Sequence, residues 1–289
     1  MTTAVIGATG RIGSAVTQRL LGAGAAVRVL VRDPAKAKRL FGDVASLEVV
    51  PVQLDDPAAV AAALTGCEIA FLAMGSIGIE AVLQRIVIQA AASVPGFRQL
   101  VRLSVLNAGP DSLGINQRGH WSIDEAARVA GVPHTTIRPS IFSASMLIAA
   151  PEIKATRTWT GLADTGRVAL SDTRDVAAAA VRILEDPSTW GQHHDLTGPR
   201  QVTWPEAMQV LSAELGETVT FRTVGAFELV RRLVTAGVPA GQAELLVTRE
   251  WAIIAGENER TTTTVRDLTD HEPRPIEDFL HDNRDLFGR

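Results

Sequence analysis

The sequence has 289 residues, of which 46% are hydrophobic and 21% are charged, and its formal net charge is −4. These values are typical of a folded globular protein and argue against an intrinsically disordered chain. The sequence contains no basic stripe, so we expect no nucleic-acid binding. No apolar run reaches the roughly 18 residues of a membrane span, so we expect no membrane partner.

Cysteine and tyrosine usage narrows the chemistry further. The chain has one cysteine, Cys67, and no tyrosine. A single cysteine cannot form an intramolecular disulfide, which favours a cytoplasmic protein. No basic segment precedes the first apolar residues, so we expect no signal peptide. A mechanism that depends on a tyrosine acid is excluded.

The first half of the sequence alternates short apolar runs with helical patterns. The apolar runs predict strands at residues 4–6, 26–31, 47–52, 68–73, 100–105 and 135–138. Helical periodicity predicts helices at residues 13–22, 58–64, 79–93 and 122–130, and another that begins at Asp33-Pro34. Strands that alternate with helices are typical of parallel βαβ units. The sequence therefore predicts an α/β fold with a doubly wound parallel sheet.

Beyond about residue 150 the alternation weakens. Further strands are predicted at residues 168–170, 194–197 and 219–223, and helices at 173–184, 227–236 and 242–255. Asp172 is the expected N-cap of the helix at 173–184. The spacing of Thr203 and Glu206 predicts a capping box at the start of a helix that runs to Leu215. We expect residues 1–150 to form one domain, with 165–200 returning to its sheet. Residues 151–289 would then form a smaller C-terminal α/β lobe.

A glycine-rich loop, residues 7–13, lies between the first strand and the first helix. Glycines permit a tight turn and let the backbone approach a pyrophosphate, and the free N–H groups of the following helix favour that anion. A position directly after a strand and before a helix is the context that supports dinucleotide binding. We therefore predict an NAD(P)-binding Rossmann fold. The residues expected at the pyrophosphate are Gly7, Thr9, Gly10, Arg11, Ile12 and Gly13.

The residue at the end of the second strand distinguishes NAD from NADP. An NAD site usually places a carboxylate there, to bind the ribose 2′-hydroxyl. This sequence places Arg32 there, which suits a 2′-phosphate, and Arg11 and Lys36 can add positive charge. Asp33 would repel a phosphate, but its expected role is to cap the next helix. NADPH is therefore the predicted cofactor, and the alternative for Arg32 is a solvated surface charge.

Two further segments are candidates for cofactor contacts. Asp55 follows the third strand, where its carboxylate can accept a hydrogen bond from the adenine amine. The alternative is a second capping residue beside Asp56. Ala73, Met74 and Gly75 follow the fourth strand, where small residues would let the backbone pass close to the ribose and the pyrophosphate.

Several motifs are spread along nearly the whole chain. They are the glycine loop, Arg32, the His120-x-x-x-Asp124 spacing, Ile137-Arg138-Pro139, Leu196-Thr197-Gly198-Pro199, Trp204-Pro205-Glu206-Ala207, Leu215-Gly216 and the segment from Glu272 to Phe279. Together they resemble the NmrA-like family of atypical short-chain dehydrogenase/reductases. The resemblance implies a Rossmann domain with a smaller C-terminal lobe and a preference for NADPH. Some members of the family reduce quinones or aromatic dyes, and others bind the nucleotide as redox sensors without turnover.

Ordinary short-chain dehydrogenases use a Tyr-x-x-x-Lys acid pair, which this chain cannot form. The matching helix carries His120 and Asp124 instead, and their spacing places them on one helix face. A histidine paired with a carboxylate can donate a proton near neutral pH, so both are candidate catalytic residues. The alternative is a solvent-facing histidine. Ser104 matches the family's active-site serine and can bind a substrate carbonyl, or it can simply cap the strand end.

Quinone reduction needs little acid catalysis, because resonance stabilises the product oxyanion and orientation of the reactants can suffice. The missing tyrosine is therefore compatible with a quinone or a similar conjugated aromatic acceptor. We place Phe142 and Trp121 at the substrate. The first hypothesis is an NADPH-dependent reductase of such acceptors. The alternatives are a non-catalytic NADP(H) sensor acting through a protein partner, and a biosynthetic reductase or isomerase.

The expected partners are limited to small molecules and a second copy of the chain. His193 and His194 are adjacent on a predicted strand, so they project to opposite faces and cannot chelate a metal together. We therefore predict no metal. A flat, apolar small molecule is the expected substrate, and a homodimer is a further expectation.

Overall fold

The computed structural model describes residues 2–288. Its strands are β1 (Thr2–Ile6), β2 (Ala26–Val31), β3 (Leu47–Pro51), β4 (Ile69–Leu72), β5 (Gln99–Leu103), β6 (His134–Pro139), β7 (Thr158–Gly161), β8 (His193–Leu196) and β9 (Thr220–Thr223). Seven of them form one sheet in the order β3-β2-β1-β4-β5-β6-β8. Every neighbouring pair in this sheet is parallel.

The helices flank this sheet and fill the C-terminal part of the chain. They are α1 (Arg11–Gly22), α2 (Pro34–Phe41), α3 (Pro57–Leu64), α4 (Ile79–Ser93), α5 (Ile115–Val129), α6 (Ala150–Thr156), α7 (Thr173–Glu185), α8 (Trp204–Leu215), α9 (Ala226–Thr235), α10 (Ala240–Ile254), α11 (Thr264–Thr269), α12 (Ile276–Asp282) and α13 (Arg284–Phe287). Short 3-10 segments occupy Ser143–Ala149 and Pro187–Thr189.

The strand order confirms the predicted doubly wound α/β fold. The chain moves outward from β1 to β3, returns to β4 on the other side of β1, and continues outward to β6 and β8. The direction therefore reverses between β1 and β4. In open parallel sheets, ligands bind in the crevice at the carboxyl ends of the strands beside such a reversal. The loops after β1, β4, β5 and β6 all lie at that edge.

Apolar side chains cover both faces of the main sheet. On one face, strand residues such as Val5 and Phe71 pack with α1 and α7. On the other face, their neighbours Ile6 and Leu72 pack with α3, α4 and α5. Because alternate residues of each strand face different helix layers, these strands are apolar at nearly every position.

Side-chain caps begin several helices where the sequence predicts them. Asp33 caps α2, Asp56 caps α3, and Asp172 caps α7, each by accepting a backbone N–H near the helix start. Thr203 and Glu206 form the predicted capping box of α8. A cap of this kind contributes about 1 kcal/mol, because it satisfies backbone donors that have no acceptor within the helix.

A second apolar cluster organises the C-terminal part of the chain. Trp159 on β7 contacts Trp204 on α8, with ring centroids 4.8 Å apart, and meets Phe221 on β9 edge-on at 5.6 Å. β7 and β9 pair in parallel as a separate two-stranded sheet. α9 packs against α10, and α10 contacts α5 of the main layer. This last contact brings α10 to the carboxyl edge of the main sheet.

The structure contains α6, α11, α12 and α13, which the sequence patterns do not predict, and it differs from prediction in three further regions. α5 begins at Ile115 rather than at residue 122, and its early turns contain Gly119. A Cβ at Gly119 would lie 2.5 Å from the carbonyl oxygen of Ser76, so close packing requires this helix-breaking residue. Residues 168–170 form no strand, since Val168 makes only a single antiparallel bridge with Val202. β7 is missed because its sequence, TWTG, lacks an apolar run and its partner β9 is distant in sequence.

Among residues 2–288, no helix combines the length and the apolarity that crossing a membrane requires.

Candidate functional site

The glycine loop after β1 has a backbone path that only glycine allows. Gly7 has φ of +82°, and a Cβ there would lie 2.0 Å from the carbonyl oxygen of Ala73, in the loop after β4. A Cβ at Gly13 would lie 2.2 Å from the carbonyl oxygen of Gly7. Gly10 donates its N–H to the same oxygen at 3.0 Å, which closes the turn. The loop is therefore folded tightly over the start of α1.

The start of α1 fits an anion such as a pyrophosphate. Its N-cap is Gly10, which has no side chain to satisfy the first backbone donors. The N–H groups of Arg11, Ile12 and Gly13 therefore have no acceptor within the helix. Thr9 is half-buried, while Gly10 and Arg11 are exposed at the mouth of the loop. Free donors and the positive end of the helix dipole meet at this point, as phosphate binding requires.

The end of β2 presents positive charge to solvent. Arg32 follows β2 directly and is exposed, as is Lys36 on α2. The Asp33 carboxylate accepts the Lys36 backbone N–H at 3.0 Å and lies 4.0 Å from Arg39. Its predicted role as a cap is therefore confirmed. Among the described residues, the Arg32 side chain has no hydrogen bond or ion pair, so it is free to meet a phosphate.

The two other predicted cofactor segments also lie at the carboxyl edge of the sheet. Asp55 is exposed in the loop after β3, and the capping of α3 falls to Asp56, which accepts the N–H groups of Ala58 and Ala59. The Asp55 carboxylate is therefore not used as the helix cap. Ala73, Met74 and Gly75 are half-buried in the loop after β4, beside the glycine loop.

A buried arginine connects the predicted catalytic residues. Arg102 on β5 is completely buried, and one of its Nη atoms donates to the carboxylate of Asp124 on α5. Its other Nη atom lies 2.9 Å from Nδ1 of His120, and its Nε donates to Oε1 of Gln84 at 3.1 Å. Arg102 therefore binds α4 and α5 at once through three side chains.

The same network reaches the loop after β4 and the ends of β5 and β6. Ser104 donates its hydroxyl to Asp124 Oδ2 at 2.9 Å, and Arg138 lies 3.4 Å from the same oxygen. The amide nitrogen of Gln84 donates to the Gly75 carbonyl at 2.7 Å. These side chains form the Arg102 network: Gln84, Arg102, Ser104, His120, Asp124 and Arg138. Through Gln84 the network fixes the loop after β4, a candidate cofactor segment, relative to α5.

The geometry corrects the predicted pairing of His120 with Asp124. Among the described residues no hydrogen bond joins them, and both bond to Arg102 instead. A guanidinium can only donate, so Nδ1 of His120 accepts and the ring proton lies on Nε2. Burial, followed by the charge of Arg102, holds the pKa of His120 well below its ordinary value of 6.5. The solvent-facing alternative is also wrong, because only 5% of His120 is exposed.

Sequence reasoning missed Arg102, Gln84 and Arg138. A detectable signal existed for Arg102, since a charged residue inside a strand covered on both faces must be paired. Burial lowers the pKa of Arg102 to about 10, against the opposing effect of Asp124, so the guanidinium is charged at neutral pH. Gln84 lies on the buried face of α4, where nothing in its spacing indicates a partner on β5.

A cavity of about 300 Å³ lies beyond the ends of β5 and β6. We call it the β5–β6 cavity. Its walls come from the loops after these strands, the start of α5, and α10. The lining residues are Val105, Leu106, Asn116, Gln117, Pro139, Ser140, Ile141, Phe142, Ser145, Gln242, Leu245, Leu246, Arg249 and Asn258.

The two predicted substrate residues lie in different places. Phe142 lines the β5–β6 cavity. Trp121 lines another depression, between α4 and α5, with Arg85 and Ile88. Neighbouring residues on a helix point about 100° apart, so Trp121 turns away from the network that its neighbour His120 joins. Trp121 therefore lies outside the β5–β6 cavity, and its contact with a substrate stays a prediction.

Comparisons with known proteins agree with this geometry. The chain matches the sequence model of the NmrA-like family over residues 1–280. A (4-alkanoyl-5-oxo-2,5-dihydrofuran-3-yl)methyl phosphate reductase from Streptomyces griseus subsp. griseus is 33% identical over 285 residues, 98% of each chain. Quinone oxidoreductase 2 from Escherichia coli is 28% identical over 246 residues, 84% of this chain and 85% of the relative.

The fold itself is shared with a solved structure. The crystal structure of the NADPH-dependent quinone oxidoreductase QOR2 from Escherichia coli, complexed with NADPH, superposes with a TM-score of 0.90. The match covers 97% of this chain and 99% of the other, at 26% identity. The family match spans nearly the whole sequence, and the fold and the glycine loop agree with it. The chain therefore belongs to the NmrA-like family.

Proposed function

We propose that this protein transfers a hydride from NADPH to a quinone or a similar conjugated acceptor bound in the β5–β6 cavity. The chain is an NAD(P)H-dependent oxidoreductase, in line with the relatives named for reductase activity at 33% and 28% identity. The observation that carries the proposal is the position of the cavity. It opens at the carboxyl ends of β5 and β6, next along the sheet from the glycine loop and the loop after β4.

Each part of the cofactor has a counterpart at this edge. The free N–H groups at the start of α1 suit the pyrophosphate, and Arg32 with Lys36 suits the 2′-phosphate of the adenosine ribose. In this proposal, the exposed Asp55 carboxylate accepts a hydrogen bond from the adenine amine. The loop of Ala73, Met74 and Gly75 lies between this half of the site and the β5–β6 cavity. NADPH is the cofactor that these residues fit.

Bound NADPH would supply the hydride, which carries two electrons, and a quinone acceptor needs one proton in addition to become a hydroquinone. His120 does not provide this proton as an imidazolium near neutral pH, because burial holds its pKa well below the ordinary value. Resonance stabilises the anion formed by the acceptor, so water can protonate it afterwards. Catalysis in this proposal rests on orientation and exclusion of water.

We assign His120, Asp124 and Ser104 a positioning role. The Asp124 carboxylate accepts hydrogen bonds from Arg102 and from the Ser104 hydroxyl. Arg102 also forms hydrogen bonds with His120 and Gln84. Gln84 holds the Gly75 carbonyl at 2.7 Å. The network therefore sets the distance between the loop after β4, where the cofactor passes, and the end of β5, where the cavity begins.

The relatives support a class of acceptor rather than one compound. One is named for a quinone and the other for an alkanoyl-oxo-dihydrofuran phosphate, which is also a conjugated carbonyl compound. The non-catalytic sensor is not favoured, because these relatives are reductases and the cavity offers room for an acceptor.

The proposal is tested by following NADPH absorbance while a panel of quinones is added to the purified protein. We expect NADPH to be oxidised, and NADH to be oxidised more slowly at equal concentration. Calorimetry establishes NADPH binding in the same preparation. Binding of NADPH without oxidation by any quinone or conjugated enone would overturn the proposal.

Two expectations from the sequence stay predictions. A homodimer is tested by sedimentation velocity of the purified chain. A cytoplasmic location is tested by fractionating cells that express it.

A further inference from the structure

Three residues that line the β5–β6 cavity each carry a buried polar atom with no hydrogen-bond partner among residues 2–288. The atoms are Oγ of Ser140, Nε of Arg249 and Nδ2 of Asn258, and none of them is in contact with solvent in this structure. Ser140 is only 3% exposed and Asn258 only 2%. Burying a polar atom without a partner costs free energy, so such atoms in a native protein need an explanation.

The chemistry of these atoms indicates what is missing. Arg Nε and the amide nitrogen of Asn can only donate a hydrogen bond, and a serine hydroxyl can donate one as well. The missing partner is therefore an acceptor. A neutral carbonyl oxygen has two lone pairs, whereas an oxyanion group such as a carboxylate, sulfonate or phosphate offers several oxygens to three donors.

The charge around the cavity points the same way. Within residues 2–288, Arg249 is the only charged residue that lines the cavity, and no carboxylate lines it. One Nη atom of Arg249 bonds Oε1 of the buried Glu250 at 3.1 Å. The other Glu250 oxygen accepts from Trp204 Nε1 at 3.1 Å and from the Ala163 N–H at 3.2 Å. Glu250 thus has three donors, and among residues 2–288 the Nε of Arg249 is left without an acceptor.

We propose that the β5–β6 cavity selects acceptors that carry an anionic oxygen substituent, bound by Arg249, Asn258 and Ser140. This inference rests on the proposed function. The conjugated part of the acceptor would lie against apolar residues such as Phe142, Leu245 and Leu246. Small rotations of the three polar side chains would bring their donors to the anionic group. Arg249 and Asn258 lie on and just after α10, so α10 sets the specificity.

The test compares a naphthoquinone sulfonate with the unsubstituted naphthoquinone in the NADPH-dependent reaction. The measured quantity is the ratio of the two kcat/KM values. We expect Arg249→Gln and Asn258→Asp each to lower this ratio by on the order of tenfold or more, because a charge-assisted hydrogen bond is lost or a like charge is added. Arg249→Lys should restore part of it. Arg266→Gln, on the exposed α11, is the control and should leave both values unchanged.

A binding arm separates this inference from the proposed function. Calorimetry on the NADP⁺-loaded protein compares naphthoate with naphthamide, two redox-inert compounds that differ mainly in charge. If wild type binds naphthoate more tightly and Arg249→Gln removes the difference, the inference holds even where no quinone is reduced. Equal binding of the two compounds, or a kcat/KM ratio unchanged in Arg249→Gln and Asn258→Asp, would overturn it.

Discussion

The proposed nucleotide site, made of the glycine loop and the ends of the neighbouring strands, is built differently from the β5–β6 cavity. The proposed nucleotide site consists mainly of backbone, from a continuous loop of seven residues and those strand ends. The cavity is made of side chains from segments between Val105 and Asn258. A backbone site leaves its signature in adjacent glycines, whereas a side-chain site assembled from distant segments leaves none. The first is therefore readable from sequence and the second is not.

The largest expected effect comes from breaking the backbone cradle. Gly7→Val adds a side chain at φ of +82° and 2.0 Å from the Ala73 carbonyl oxygen. The loop must move, so NADPH affinity should fall on the order of a hundredfold, and stability by about 1–3 kcal/mol or more. Calorimetry and urea unfolding measure the two effects.

Gly22→Ala is the matched control. Its added Cβ would meet nothing within 4 Å, and Gly22 is the last residue of α1. We expect unchanged NADPH affinity and a stability equal to or slightly above that of wild type. If Gly7→Val binds NADPH as well as Gly22→Ala does, the glycine loop is not the cofactor cradle.

The next effect comes from removing the charge at the centre of the Arg102 network. Arg102→Met leaves the Asp124 carboxylate buried with only Ser104 and the more distant Arg138. An uncompensated buried charge should lower the free energy of unfolding by about 3–5 kcal/mol. Urea unfolding measures it. The double variant Arg102→Met/Asp124→Leu should recover much of the loss, and an equally unstable double variant would contradict this electrostatic account.

Arg32→Ala tests the cofactor preference. Loss of a charge-assisted contact to the 2′-phosphate should raise the KM for NADPH by about ten- to a hundredfold and leave that for NADH nearly unchanged. Steady-state kinetics with both cofactors measures the split. Arg39→Ala is the control, because Arg39 lies on the following helix α2 and its guanidinium is 4.0 Å from the Asp33 carboxylate. If Arg32→Ala changed the KM for NADPH and the KM for NADH by the same factor, Arg32 would not be the residue that binds the 2′-phosphate.

The smallest effect is a pH dependence of stability. His120 is neutral in the folded state because burial lowers its pKa, while the unfolded chain takes up a proton below about pH 6.5. Stability should therefore fall as pH decreases below 6.5, by at most about 1.4 kcal/mol per pH unit from this residue. Unfolding free energies of wild type and His120→Gln at several pH values measure the difference.

The exposed His193→Gln provides the matched comparison, because it also removes one histidine. We expect the loss of unfolding free energy below pH 6.5 to be smaller in His120→Gln than in wild type. In His193→Gln we expect it to be the same as in wild type. The same loss in both variants, or in neither, would contradict a buried neutral His120.

Most of the fold was predictable because its signals are local. Apolar runs predict the first six strands of the main sheet, and a further strand is predicted at residues 194–197, where β8 lies. Asp33, Asp56, Asp172 and Thr203 mark the helix starts. The start of α5 was not predictable, because its polar first turns and Gly119 conceal a helix that packs against Ser76. The sequence does not predict β7 either, because TWTG is not an apolar run and its strand partner β9 is distant in sequence.

The candidate site divides along the same line. Gly7, Gly13, Arg32 and Asp55 occupy the positions expected of them at the carboxyl edge of the sheet. His120 and Asp124 lie on one face as the spacing predicts, but Arg102 bridges them, because a side chain from β5 enters between the two. α10 lines the cavity because the C-terminal part of the chain packs back against α5. The hydrophobic periodicity of the sequence does not predict that long-range contact.

The central claim is that the acceptor binds in the β5–β6 cavity. The most direct measurement compares kcat/KM for a naphthoquinone in wild type, Phe142→Ala and Trp121→Ala. Phe142 lines the cavity and Trp121 lines the depression between α4 and α5. We expect Phe142→Ala to lower kcat/KM on the order of tenfold with unchanged NADPH affinity, and Trp121→Ala to stay near wild type. A loss in Trp121→Ala with no change in Phe142→Ala would contradict the account.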